Sequence, residues 1–97
     1  MTTEQTYCIL AALAEPRHGY AVMQWVGEKT GQRVKLGPGT LYGALARLEA
    51  RGLIAPLESH DRRNPYQLTS VGERALRARL AAMQAITRIG QRRLANA

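Results

Sequence analysis

Apolar residues recur along the chain in blocks of helical period, separated by short polar or glycine-containing breaks. Tyr7, Ile9, Leu10 and Leu13 stand three or four residues apart and predict a first helix. Thr2-Thr3-Glu4-Gln5 has the spacing of a capping box at its start, and Pro16 stops it. A second helix begins near His18 or Gly19 and buries Tyr20, Val22, Met23 and Val26, with Gly31 as its C′ glycine. Val34-Lys35-Leu36 alternates over three residues and predicts one short strand. Gly37-Pro38-Gly39-Thr40 then opens a third helix, with Pro38 tolerable in the first turn. Its core stripe is Leu41, Leu45 and Leu48, Ala44 fills the gap, and Gly52 closes it.

Beyond Gly52 the period turns strand-like. Residues 53–58 and 66–69 flank the polar stretch 59–64, a pattern that predicts a hairpin with a long basic tip, Pro65 sitting at a strand start or edge. Ser70-Val71-Gly72-Glu73 reads as a second capping box, opening a helix that runs to about Leu94 and is roughly 38 Å long. The predicted order is helix, helix, strand, helix, strand, strand, helix. This is a mostly α fold with a small β-wing: a winged helix-turn-helix over residues 1–69, and a long C-terminal dimerisation helix over residues 70–97, in one compact unit.

Composition narrows the setting. Ninety-seven residues predict one domain. The longest wholly apolar run, residues 8–14, is far below a membrane span. The start Met1-Thr2-Thr3-Glu4 lacks the basic opening of a signal peptide, and a single cysteine cannot form an internal disulfide. A soluble, cytoplasmic protein is expected. Charge is uneven: residues 1–58 hold six Lys/Arg against five acids, whereas residues 59–97 hold eight Arg against two. Twelve of the 14 basic residues are Arg, whose planar fork suits phosphates and base edges. That excess suggests a polyanionic partner or a merely well-solvated surface, and the order of elements decides between them.

The outer face of the third helix carries Thr40, Tyr42, Gly43, Ala46, Arg47 and Ala50. Low bulk with a few long polar groups suits entry into a major groove. The hairpin tip His60-Asp61-Arg62-Arg63-Asn64 suits a wing, with one arginine in the minor groove and one on the backbone. The candidate DNA-binding set is Lys35, Gly39, Thr40, Tyr42, Gly43, Arg47, Arg62 and Arg63. Catalytic readings find little support. Gly37, Gly39 and Gly43 depart from the dinucleotide-loop spacing and lack a surrounding βαβ unit. His18 and His60 fall in different elements without a carboxylate or cysteine cluster, so neither a metal nor a cofactor is expected. Cys8 falls inside the first helix as a buried or interface thiol. Trp25, one position off the apolar stripe of the second helix, should be partly buried.

Several motifs resemble the PadR family of transcriptional regulators: His18-Gly19-Tyr20, then Pro38-Gly39-Thr40-Leu41-Tyr42, Leu45, Arg47-Leu48-Glu49 and Gly52-Leu53, continued by Tyr66, Leu68-Thr69 and Gly72. The resemblance covers about residues 7–76. It implies a dimeric winged-helix repressor, with Thr40, Tyr42 and Arg47 facing DNA and Arg62 and Arg63 in the wing. Two positions depart from the family pattern: Gly43 replaces the usual proline, and Asn64-Pro65 replaces a basic-aromatic pair. The segment from Asp61 to Gly72 also resembles the wing of MarR-like regulators, which normally carry more helix before it. A winged helix that binds another protein through the same surfaces is the remaining alternative. The predicted partners are double-stranded DNA carrying an inverted repeat and a second copy of the chain, the homodimer forming along Leu76, Leu80, Met83, Ile86 and Leu94. The resemblance also implies that a planar aromatic effector could bind. The last helix lacks Trp, Tyr and Phe, so a small-molecule pocket would have to use Trp25, Tyr7 or Tyr20, or be purely aliphatic.

Overall fold

The computed structural model describes residues 2–58 and 64–96. Helix α1 spans Thr3–Ala12. The Thr2 hydroxyl accepts from the Gln5 amide at 3.1 Å and the Gln5 side chain accepts from the Thr2 amide at 2.9 Å, so the predicted capping box forms. The helix ends before Pro16, with Leu13 as its C-cap. Helix α2, Gly19–Lys29, buries Val22 and Val26. Tyr20, predicted to be buried, is instead exposed: it begins the helix on the side turned away from α1 and the core.

The link from α2 to α3 is tightly folded. Gly31 and Gln32 both take left-handed backbone, at φ 60° and 66°. The Thr30 hydroxyl donates to the Val26 carbonyl at 2.8 Å and accepts from the Val34 amide at 3.1 Å. The strand predicted at residues 34–36 does not form, so that expectation is corrected. The alternation is real, since Val34 and Leu36 are buried while Lys35 is exposed, but it anchors two side chains in the core and builds no ladder. Helix α3 follows as Pro38–Ala50, with Leu41, Ala44, Leu45 and Leu48 inward. Gly52, at φ 75°, turns the chain out of it.

Strands β1, Ile54–Pro56, and β2, Tyr66–Leu68, pair antiparallel in the register Ile54 to Leu68 and Pro56 to Tyr66. The third rung of the wing comes from the segment after α1. Arg17 and Tyr66 exchange both backbone hydrogen bonds, at 3.1 and 2.9 Å, and the Leu68 amide donates to the Leu13 carbonyl at 2.9 Å. Those bonds satisfy the outer edge of β2 and tie the wing to the first two helices.

Helix α4 is Ser70–Ala95, about 39 Å long at 1.5 Å per residue. Its N-cap is Thr69 rather than Ser70, which corrects the second capping box. The Thr69 hydroxyl accepts from the Gly72 amide at 3.0 Å and donates to the Gly52 carbonyl at 2.6 Å, so one side chain caps α4 and ties it to the end of α3. Glu73 pairs forward with Arg77 at 3.3 Å. Gly72 is buried, and a Cβ placed there would lie 1.9 Å from the Leu53 carbonyl oxygen. Only glycine lets the helix start this close to β1. One core joins Ile9, Leu10, Leu13, Val22, Val26, Leu41, Leu45, Leu48, Ile54 and Leu76. Past Leu76, α4 leaves that core, and the molecule reaches 56 Å along its long axis against 27 and 19 Å across. No described helix is long and apolar enough to cross a membrane.

Candidate nucleic-acid interface

Each residue of α3 advances about 100° around the helix axis. With Leu41, Ala44, Leu45 and Leu48 inward, the ridge pointing directly outward consists of Gly39, Gly43, Ala46 and Ala50. Thr40 and Arg47, both exposed, flank one edge of the ridge; Tyr42 and Glu49 flank the other. A crest this low lets the helix axis approach a base-pair edge closely, with longer side chains reaching down on either side. A Cβ at Gly43 would stand 3.5 Å from Arg47 Nη1, so the guanidinium lies back along the crest. Lys35 is exposed just ahead of the helix. The predicted residues Lys35, Gly39, Thr40, Tyr42, Gly43 and Arg47 therefore fall on or beside one surface. Arg62, Arg63 and His60 lie outside the described residues.

Between α3, the start of α2 and the base of the wing is an open pocket of about 630 Å³ lined by His18, Gly19, Tyr20, Tyr42, Glu49 and Tyr66, among others. Tyr66 and Glu49 share the wall of this pocket. Burial pushes the Tyr66 phenol above its usual range, and the Glu49 charge pushes it further in the same direction. Glu49 and Gly19 were quoted in the sequence only as parts of a motif. Glu49 could have been placed by periodicity, since it lies seven residues from Tyr42 on the same helix face. The contact of Gly19 with Tyr42 crosses between helices, and no local pattern announces it.

A second groove, about 620 Å³, runs between α1, α2 and α4 and is lined by Tyr7, Cys8, Trp25, Leu76, Leu80 and Met83, among others. Trp25 is partly buried, as its off-stripe position predicts. The Arg17 guanidinium lies 5.1 Å from the Trp25 ring centre, and that of Arg79 lies 5.4 Å from Tyr7. Arg33 and Glu4 pair at 2.7 Å on the rim. Burial raises the Cys8 pKa, Glu4 raises it further and Arg33 opposes them. Of the three aromatic residues proposed for an effector pocket, Tyr7 and Trp25 meet here. Tyr20 does not, because it lines the α3 pocket instead.

Of the residues predicted to join two copies, Leu76 is buried in its own domain, whereas Leu80, Met83, Ile86 and Leu94 are exposed, Leu94 at 80%. Among the described residues no three His, Cys, Asp or Glu side chains converge to hold a metal.

A helix-turn-helix backed by an antiparallel wing, with a low-crested third helix and a projecting fourth, is the architecture of a winged-helix transcriptional regulator. The chain belongs to the PadR-like family of transcriptional regulators, whose model matches residues 9–78. Among solved structures, a transcriptional regulator from Clostridium thermocellum superposes with TM-score 0.75 at 27% identity, covering 90% of this chain and 89% of that one. A PadR family regulator from Eggerthella lenta gives TM-score 0.76 at 28% identity, covering 89% and 78%. In sequence, a 37.1 kDa protein in transposon TN4556 of Streptomyces fradiae is 47% identical over 76 residues. That match covers 77% of this chain and 21% of the transposon protein.

Proposed function

We propose that the chain is a sequence-specific DNA-binding regulator, acting as a homodimeric repressor on an inverted-repeat operator. The observation that carries this reading is the α3 surface: a crest of Gly39, Gly43, Ala46 and Ala50, with Thr40 and Arg47 on one edge and Tyr42 on the other. Arg47 reads a base edge, Thr40 and Lys35 bind phosphates, and Tyr42 works from the wing side. Arg62 and Arg63 supply further cationic contacts. The net charge of +7 favours association with any duplex, so sequence preference has to come from α3. A repressor of this kind acts by occupying DNA that polymerase needs, so it requires no chemistry of its own.

The exposed stripe Leu80, Met83, Ile86 and Leu94 supports pairing through α4. The α1–α2–α4 groove, with Tyr7 and Trp25 in its wall, supports a small apolar effector at that place rather than between two α4 helices. Trp25 is the single tryptophan, so its emission would report occupancy.

Mobility shifts on duplexes selected from a random pool test the reading. The expected result is a recovered inverted-repeat sequence, bound with strong salt dependence and well above scrambled DNA. Equal binding to all duplexes would remove the sequence specificity, and capture of acidic proteins with indifference to DNA would replace the reading with the protein-interaction alternative.

A further inference from the structure

The first turn of α2 and the outer edge of α3 meet at one point, where Gly19 is buried against the ring of Tyr42. A Cβ built on Gly19 would stand 2.7 Å from Tyr42 Cε1 and 3.0 Å from both Cζ and the hydroxyl oxygen. Real Cβ atoms do not approach other heavy atoms this closely, so the hydrogen atom of glycine makes the seat for the ring. Tyr42 is nevertheless 49% exposed. One face of its ring is held by α2, and the rest is presented beside the low crest of α3. Gly19 does not owe its place to backbone strain, since it is not among the positive-φ residues. The seat is a matter of side-chain space.

Resting on the DNA-binding reading above, we propose that Gly19 is a specificity-determining positioning residue: it fixes the side-chain orientation of Tyr42 and thereby the contact that Tyr42 makes with operator DNA. A freely rotating tyrosine at the helix edge would lose rotamer entropy on every binding event, whereas one seated in advance has already lost it. The colliding atoms are the far end of a side chain, so an added methyl displaces the Tyr42 ring and leaves the backbone where it is. Gly19 starts a helix, where alanine is the better helix former. Gly19→Ala should therefore fold as well as the parent while binding its operator less well. A residue needed only for packing would show the two losses together.

The experiment uses the full chain and duplexes that the parent recovers from a random pool. Gly19→Ala is expected to melt no lower than the parent, to lose about three- to tenfold in affinity for the recovered sequence, and to bind scrambled duplex unchanged. In a Tyr42→Ala background the same substitution should cost nothing further, because the ring it displaces is gone. NMR of 13C-labelled tyrosine should show the Tyr42 ring signals shifted in free Gly19→Ala. Undiminished operator affinity in Gly19→Ala overturns the proposal, as does an equal loss in the Tyr42→Ala background or an equal loss on scrambled DNA. A parent chain that recovers no sequence at all overturns the DNA-binding reading itself, and the tyrosine spectrum still reports whether Gly19 seats the ring.

Discussion

At the scale of single residues, Arg47 carries the sharpest expectation. Its guanidinium folds along Gly43 on the outer face of α3, and no ion pair holds it among the described residues, so it is free to reach into a groove. Arg47→Ala should cost about 1–3 kcal/mol on the operator and far less on scrambled duplex, as a bidentate base contact would. Competition titration against both duplexes measures this, and equal losses would make Arg47 a phosphate contact. Cys8 gives a prediction of a different kind. With its thiol pKa raised by burial and by Glu4, the thiolate fraction at neutral pH lies below that of a free cysteine. Alkylation of the native chain should be slower than alkylation of the urea-unfolded chain at the same pH. Linkage gives the same sign for stability. A group with a raised folded pKa contributes stability below its unfolded pKa, and that contribution is lost as pH rises through the folded one. Cys8 and Tyr66 therefore both predict weakening only in alkaline solution, beginning above about pH 8.5 for the thiol and about pH 10 for the phenol. Arg47 was visible in the sequence because its position on a helix face follows from spacing alone. The place of Cys8 inside α1, with Glu4 one turn before it, was legible for the same reason, whereas Arg33 was not, because it reaches the thiol from the link between α2 and α3.

At the scale of elements, glycines in two helices separate packing from propensity. Gly72 stands where a methyl would strike the Leu53 carbonyl oxygen, a backbone atom that cannot rotate away. Gly72→Ala must push α4 off β1 and should destabilise the fold by about 3 kcal/mol in urea titration. Gly43 has only the Arg47 guanidinium near its vacant position, and Gly43→Ala should raise stability by about 1 kcal/mol. Opposite signs for one chemical change would show that close approach, and not helix propensity, selects glycine at position 72. The four helices were legible because their stripes and breaks are local: Thr2 with Gln5, Gly31, Pro38 and Gly52 each mark a boundary within a few residues. The strand at residues 34–36 was misplaced because alternation records only which side chains are buried. Ladder partners are chosen by tertiary structure, and here the backbone of Arg17 took the place beside β2. Capping by Thr69 was missed for a related reason: its hydroxyl is fixed by Gly52, seventeen residues away.

At the scale of the whole molecule, α4 sets a problem that one chain does not solve. Only Gly72 and Leu76 of its residues are buried, yet Leu80, Met83, Ile86 and Leu94 follow on nearly the same side and stay in contact with water. Such a stripe on a projecting helix is covered most economically by its own copy, because a two-fold axis brings the same residues together. The two α3 surfaces would then be related by the same axis, which is why the operator should be an inverted repeat with half-sites near one helical turn apart, or a multiple of it. Leu76 is already enclosed by its own domain, so it fixes the root of α4, and the proposed interface would begin at Leu80. Leu80→Glu places a charge at that root and should give monomers in sedimentation. Operator binding should weaken steeply, since a single half-site contributes about half of the contacts. Ala81→Glu makes the same change in charge on the next residue, about 100° further round the helix, and should leave both association and binding nearly intact. A dimer of Leu80→Glu with parental affinity would falsify pairing through this stripe. Loss of the dimer with both substitutions alike would point instead to general repulsion and not to a surface centred on Leu80.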